Sequence, residues 1–316
     1  SKDEQKLNGK IIQDVSGGMK SFPDEYLLYA GTAWLFSDPR FDQKIDYLFV
    51  DEAGQVSLAN TLAIATSSKN IILIGDQMQL SQPIQGVHAG NSGKSALDFL
   101  LEGEDTIPVS RGIFLSETRR LNKEICDYIS SSFYDFRLKP HPVTSERSVT
   151  LDLKDLKDKG IFYIPTQHTD CTQRSDEEGK LINQYFKKIL GKKSIDNGKD
   201  KRIDIEDVMV VAPFNMQVNN LKKIIDKKES RVGTIDKFQG QEAKVVFISM
   251  TSSDPENLPR HKEFFFSRNR LNVAISRAQC VAIILFNPNL LLTNCGKINE
   301  MRLVNNFCKL LKYQIL

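Results

Sequence analysis

Asp51 and Glu52 stand side by side directly after an apolar run, Tyr47-Leu-Phe-Val50. Four such residues read as a buried strand, so the two carboxylates fall where that strand ends. At the carboxyl end of a parallel strand, one carboxylate can hold a phosphate-bound Mg2+, directly or through water. Its neighbour can orient an attacking water or take its proton. Asp51 suits the first task and Glu52 the second. An ordinary strand end that happens to carry Asp-Glu is the plain alternative.

Four more polar clusters, each beside an apolar run, weigh against that alternative. Asn70-Ile-Ile-Leu-Ile-Gly75 reads as a second buried strand and leads into Gly75-Asp-Gln-Met-Gln79-Leu-Ser81-Gln-Pro83. Ile113-Phe-Leu115 precedes Glu117-Thr-Arg119-Arg120. Thr234-Ile-Asp-Lys-Phe-Gln239-Gly240-Gln-Glu242 and Arg270-Leu-Asn-Val-Ala-Ile-Ser-Arg277-Ala278 follow. In this order and rough spacing the five clusters resemble superfamily 1 helicases of the Upf-like branch, over residues 28–290. The wording of Gly31-Thr-Ala-Trp34, Asp51-Glu-Ala-Gly-Gln55 and Gly75-Asp-Gln-Met-Gln79 is more similar still to bacterial helicase regions that follow a RecB-like nuclease domain.

The resemblance implies tandem RecA-like domains that use ATP and Mg2+ to move along single-stranded nucleic acid. DNA is the expected substrate and RNA a possible one, with 5′ to 3′ movement suggested by the branch. Asp51 and Glu52 then stand in motif II, and Gln79 in motif III at the position that senses the γ-phosphate. Arg120 and Arg277 hold the arginine positions of motifs IV and VI. Each is an expected finger, because a guanidinium stays charged and can bond two phosphate oxygens together. Arg119 and Arg270 are their near neighbours, and which member of each pair turns inward is left open. Gln239, Gly240 and Glu242 match motif V. There Gly240 would permit close backbone approach, and Glu242 would accept a hydrogen bond from ribose or from a neighbouring finger. Ser81, Pro83, Phe214, Asn215 and Thr234 are the expected nucleic-acid contacts. Pro213-Phe-Asn-Met-Gln217 also fits a plain strand-to-helix turn with an Asn cap.

A P-loop requires G-x-x-x-x-G-K-[ST] after a strand, so that backbone N–H groups and a lysine cradle the phosphates. Gly93-Lys94-Ser95 has His88 where the first glycine belongs and no strand pattern before it. It reads instead as a loop leading to a helix over Ser95–Leu101. The chain is therefore expected to be the C-terminal part of a larger helicase, cut inside the first RecA-like domain. Its partner would be the upstream portion of the same polypeptide, and alone it would have little ATPase activity. The missing strand would leave Ile71–Ile74 as an edge prone to self-association. The rival expectation is a degenerate, non-hydrolysing module that binds nucleic acid or a partner. Keeping Asp51, Glu52, Gln79, Arg120 and Arg277 together argues against it.

Composition sets looser bounds. The 316 residues suffice for two cores, and no apolar run approaches a membrane span. A net charge of +3, from 43 basic and 40 acidic residues, is too small to argue for nucleic acid by itself. The five cysteines form no C-x-x-C pair, which leaves zinc, iron–sulfur and disulfide readings little support and fits a cytoplasmic enzyme. The four histidines, 88, 141, 168 and 261, are read as surface or loop residues.

Alternating strand and helix patterns predict an α/β fold of the P-loop NTPase (RecA-like) type, with parallel sheets and crossover helices. Strands are expected at Tyr26–Ala30, Tyr47–Val50, Ile71–Ile74, Ile113–Leu115, Ile161–Ile164, Val208–Ala212, Val245–Met250 and Val281–Phe286. Helices are expected at Leu121–Phe133, Glu177–Leu190, Gln217–Lys228 and Leu271–Ser276. Leu181, Ile182, Tyr185, Phe186, Ile189 and Leu190 should face a core. Residues 191–202, Pro140–Arg147 and Asp254–Lys262 read as loops. The boundary is placed near Arg111, giving a partial first RecA-like domain over 1–111 and a complete second one over 112–316.

Overall fold

The structure, a computed structural model, describes residues 27–82, 86, 89–153, 156–196, 198–258 and 262–313. They fall into two compact units. The first takes the described residues up to Asp76 together with Gln82–Phe99, and the second takes Gln77–Ser81 with those from Leu100 onward. This division differs from a boundary near Arg111, because residues 105–107 are tied into the second unit. Arg268 holds Asp105 through two bonds at 3.1 and 2.8 Å, and Arg137 donates to the Ile107 carbonyl at 2.7 Å.

In the first unit, β1 (Ile45–Val50) runs into helix α1 (Leu58–Ala65) and back to β2 (Ser68–Leu73), which pairs with β1 in parallel. A parallel pair needs such a crossover, and Ser57 starts it by accepting the Asn60 N–H at 3.0 Å. Leu48 and Val50 turn towards Phe36, Phe41, Ile64 and Leu97. Tyr47 and Phe49, on the other face, remain 61% exposed, so the apolar run is not buried on both sides as its composition suggested. Ile72 on β2 and Ile74 just past its end are exposed, and β2 has no second strand neighbour among the described residues.

The second unit is built on five strands. In chain order its elements are α2 (Lys123–Phe133), β3 (Gly160–Pro165), α3 (Asp176–Ile189), β4 (Val208–Val211) and α4 (Asn215–Ile225). Then come β5 (Arg231–Gly233), β6 (Ala243–Ser249), α5 (Arg268–Ser276), β7 (Ala278–Phe286) and α6 (Ile298–Cys308). The strands lie in the order β5-β4-β6-β7-β3 and all pair in parallel. On one face Val245, Phe247, Val281 and Ile283 pack with Ile182, Phe186, Leu221 and Ile225 of α3 and α4. On the other, Val246, Ile248, Ala282 and Ile284 pack with Ile125, Ile129, Val273 and Phe307 of α2, α5 and α6. Burial on both faces is why β6 and β7 read as unbroken apolar runs. Ser175 caps α3 by accepting the Glu178 N–H, and three acidic residues follow in its first turn while Lys187 and Lys188 sit in its last.

Several expectations are corrected. Ile113–Leu115 forms no strand: Ile113 and Leu115 are 87% and 77% exposed, and the local pairing is Glu117–Thr118 with Lys139–Pro140. Leu27–Ala30 form no strand either, and Tyr26 lies outside the described residues. Residues 191–202 are not a loop but a hairpin, Lys193–Asp196 against Lys199–Arg202, extended by Ser148–Thr150. Its charged residues face water while Ser194 is buried, and Gly198 turns the chain at φ +70°. Pro140–Arg147 contains a short helix, Pro142–Ser145, capped by His141 Nδ1. β5 and α6 were not anticipated. The first is only three residues long, with a single large apolar side chain.

All five cysteines are free thiols, and Cys126 and Cys280 are buried. Burial pushes both thiols up to about 12 from an ordinary 9.0. The folded pKa exceeds the unfolded one, so this contribution to stability is whole below about pH 9 and is lost as pH rises towards 12. We expect iodoacetamide at about pH 8 to leave both unmodified in the native chain and to label them in urea, since the thiolate is the nucleophile. Mass mapping of the labelled peptides checks this.

Candidate active site

Asp51 and Glu52 lie exposed at the carboxyl end of β1. Asp51 Oδ1 accepts the Glu52 N–H at 2.9 Å, and Glu52 Oε2 accepts from Gln55 Nε2 at 3.3 Å. Glu52 adopts φ +52°, ψ 39°, a left-handed conformation uncommon for a residue with a Cβ. Strain of this kind costs on the order of 1 kcal/mol and collects at functional sites. Two glycines let the flanking backbones close up. A Cβ on Gly75 would sit 2.8 Å from the Ala53 nitrogen, and one on Gly54 would sit 2.9 Å from the Asp76 carbonyl oxygen. The Ala53 N–H to Ile74 carbonyl bond, 2.8 Å, draws the turn after β1 onto the end of β2.

No group of three or more His, Cys, Asp or Glu among the described residues could hold a metal alone. An exposed carboxylate such as Asp51 fits Mg2+ in the other common manner, with one protein oxygen and the rest from phosphate and water. Ser95, of the Gly-Lys-Ser sequence, is occupied as a helix cap. It accepts the Asp98 N–H at 3.0 Å and donates to Asp98 Oδ2 at 2.8 Å. His88 and Pro83 lie outside the described residues.

In the second unit, two arginines far apart in sequence end on adjacent residues. Arg120 Nε donates to Glu242 Oε2 at 2.8 Å, and Gln279 Nε2 donates to the other carboxylate oxygen at 2.7 Å. Arg277, only 1% exposed, donates from Nη1 to the Gln241 carbonyl at 3.0 Å and from Nε to the Val273 carbonyl at 3.2 Å. Arg119 turns outward, 74% exposed and 4.0 Å from Glu117. Arg270 bonds Asp236 at 3.2 and 3.3 Å and lies over the Phe264 ring at 4.3 Å. Gly240 takes φ +73° with open space where a Cβ would stand, and Gln239 beside it is half-buried.

The expected nucleic-acid residues are divided. Asn215 and Ser81 are exposed, and Thr234 is half-buried at the start of the turn Ile235–Phe238. Phe214 is 5% exposed and packs against Phe264 and Phe265, so that segment presents Asn215 and Met216 instead. Gln79 is half-buried in a segment whose Met78 and Leu80 enter the core.

Sequence reasoning missed three features. Arg231 donates to the Glu206 and Glu242 carbonyls at 2.6 and 3.0 Å and to Gln241 Oε1 at 2.9 Å, and burial lowers its pKa from the ordinary value. Asn269 and Asn272 reach the Gln77–Gln79 backbone. His168 is not a surface residue: it is 8% exposed and lies 2.9 Å from Glu178, a carboxylate that is wholly buried. Glu178 also accepts from Ser249 Oγ at 2.5 Å and from the Thr251 N–H at 3.0 Å. The only signal was Glu178's place in the acidic first turn of α3, which a helix dipole already explains.

The two arginines should separate in stability measurements. Glu242→Ala removes a half-exposed pair and should change unfolding free energy by less than about 1 kcal/mol. Arg277→Ala empties a fully buried position and should cost roughly 2–4 kcal/mol. Gly75→Ala, by forcing two backbones apart, should cost about 1–3 kcal/mol in the first unit. Urea titrations of the three variants give the comparison.

The AAA domain family matches residues 95–289, more than half of the chain. DNA polymerase alpha-associated DNA helicase A of Schizosaccharomyces pombe is 26% identical over 78% of this chain and 38% of its own length. The putative helicase mov-10-B.2 of Danio rerio is 28% identical over 82% and 28%. The S. pombe DNA replication ATP-dependent helicase/nuclease dna2 is 21% identical over 96% and 22%. The chain thus spans less than half the length of each of these relatives. The crystal structure of arterivirus nonstructural protein 10 (helicase) is similar at 16% identity and a TM-score of 0.39, over 75% of this chain and 38% of that one. With its motifs in the order shown above, the chain belongs to the AAA domain family and is a superfamily 1 helicase region of the Upf-like kind.

Proposed function

We propose that this chain supplies most of the phosphate-sensing and arginine machinery of an ATP-driven motor on single-stranded nucleic acid. The observation that carries the proposal is the half-exposed Arg120, 2.8 Å from Glu242, beside Arg277, which bonds the adjacent Gln241 carbonyl at 3.0 Å from a fully buried position. Phosphoryl transfer needs positive charge where negative charge develops; Arg120 can bring it by leaving Glu242, and Arg277 would bring it only if the end of α5 moved. Asp51 would hold Mg2+ together with the nucleotide phosphates, which supplies charge neutralisation. Glu52 would orient water or accept its proton, and Gln79 would report the γ-phosphate. Gln239, Gly240 and Glu242 would line the ribose side. Ser81, Asn215 and Thr234 would touch the nucleic-acid backbone, with DNA as the substrate and RNA as an allowed one. The motor would be completed by an upstream part of the same polypeptide that brings the phosphate-binding loop.

No helix among the described residues is long and apolar enough to cross a membrane. The unpartnered side of β2, with Tyr47 and Phe49 exposed beside it, supports association between copies when this chain is isolated. Sedimentation velocity should show an average mass that rises with concentration. A monomer throughout would remove this part of the proposal.

Titration with a fluorescent ATP analogue and Mg2+, followed by turnover, tests the motor. The isolated chain should show no Mg2+-dependent hydrolysis. In the full-length polypeptide, Glu52→Gln should lower turnover by about 100-fold or more while nucleotide binding persists. Hydrolysis by the isolated chain that Glu52→Gln abolishes would show a site complete without the upstream loop. No turnover by the full-length polypeptide would favour the non-hydrolysing module, and turnover indifferent to Glu52→Gln would overturn the role given to Glu52.

A further inference from the structure

Gln77–Ser81 forms part of the second unit, although the residues on both sides of it belong to the first. Its Met78 and Leu80 side chains are each 7% exposed, while Gln77 and Gln79 are half-buried. What fixes its backbone is helix α5. Asn269 Nδ2 donates to the Gln77 carbonyl at 2.8 Å and to the Gln79 carbonyl at 2.5 Å. Asn272 Nδ2 donates to the Met78 carbonyl at 2.8 Å and is also 2.8 Å from the Tyr134 hydroxyl. The two asparagines are three residues apart, so they share a face of α5. Three successive carbonyls are thereby held by amide groups of one helix.

The side-chain type matters. An amide NH2 offers two donors, which lets Asn269 bridge two carbonyls, while a carboxylate of the same size would turn acceptors towards acceptors. At Asn272 an apolar residue would leave the buried Met78 carbonyl unpaired, whereas the carbonyls held by Asn269 are only part-buried and water can reach them. Further along, the same helix leads directly into Arg277. Gln77 is secured separately, its Nε2 donating to the Asp105 carbonyl at 2.9 Å, and Arg268 at the start of α5 holds the Asp105 carboxylate.

We propose that Asn269 and Asn272 are positioning residues that hold Gln79, through its backbone, in fixed relation to the helix carrying Arg277. This rests on the reading of Gln79 and Arg277 as parts of a hydrolytic site. It adds that the motif III backbone takes its shape from α5, so that a shift of α5 carries Gln79 with it. Neither asparagine touches substrate; both act through Gln79.

The test uses the full-length polypeptide with oligo(dT) and four forms: wild type, Asn269→Ala, Gln79→Ala and the double variant. Asn269 is half-buried, so its truncation leaves the core filled. Asn269→Ala should lower DNA-stimulated kcat on the order of 10-fold or more, as small misplacements of catalytic groups do. KM for ATP and the unfolding midpoint should stay near wild type. The double variant should be no slower than Gln79→Ala, because both changes remove one function. Asn269→Asp should be at least as slow as Asn269→Ala. If Gln79→Ala is slow but Asn269→Ala is not, or if the two losses multiply, the positioning role is overturned and the motor reading stands. If Gln79→Ala turns over like wild type, the sensing role of Gln79 fails and takes this proposal with it.

Discussion

A parallel sheet buried on both faces leaves its strands only their ends at which to meet solvent or ligand. In the second unit β3, β4, β6 and β7 are covered by α3 and α4 on one side and by α2, α5 and α6 on the other. The candidate site segments therefore lie where the chain enters and leaves the strands. Gln239–Glu242 precede β6, Arg277 precedes β7, and Phe214–Asn215 follow β4. The carboxyl end of β6 shows what holding such a segment requires. Thr251 takes φ +65°, a strained value for a β-branched residue. Its N–H is accepted by the buried Glu178, which also bonds Ser249 and meets His168. A wholly buried carboxylate is tolerable only when several groups satisfy it together, and here those groups also fix the turn.

The candidate motifs were easier to find in the sequence than the framework that holds them. Asp51-Glu52 and Gln239–Glu242 were legible because unusual polar residues stood beside apolar runs, and the runs themselves located β3, β4, β6 and β7 within a few residues. β5 was not, since three residues with one apolar side chain carry no periodicity. The hairpin at 193–202 was hidden by lysines and aspartates that solvate its outer face, and only Ser194 turns inward. Tyr47 and Phe49 misled in the opposite sense. A Tyr-Leu-Phe-Val run has the composition of a strand covered twice, yet cover depends on what packs against it. Asn269 and Asn272 could not be recognised as contacts, because an amide that donates to a distant backbone leaves no pattern around itself. The same holds for His168, whose partner is set by how α3 docks on β6.

If Arg120 acts as the proposed finger, its pairing with Glu242 at a half-exposed position suits that role. The two side chains are 32% and 44% exposed, so water screens their attraction and separating them costs about 1 kcal/mol or less. An arriving phosphate, with more charge than a carboxylate and several oxygens to offer, can take the guanidinium at small expense. Gln279 keeps one Glu242 oxygen bonded, so the carboxylate is not stranded when Arg120 leaves. Had the same pair been fully buried, parting it would leave an uncompensated charge in low dielectric and cost several kcal/mol. On the proposed role of Arg120, the exposure of this ion pair would let it exchange partners, and Glu242 would hold Arg120 beside the Gln239–Glu242 segment until an anion competes for it.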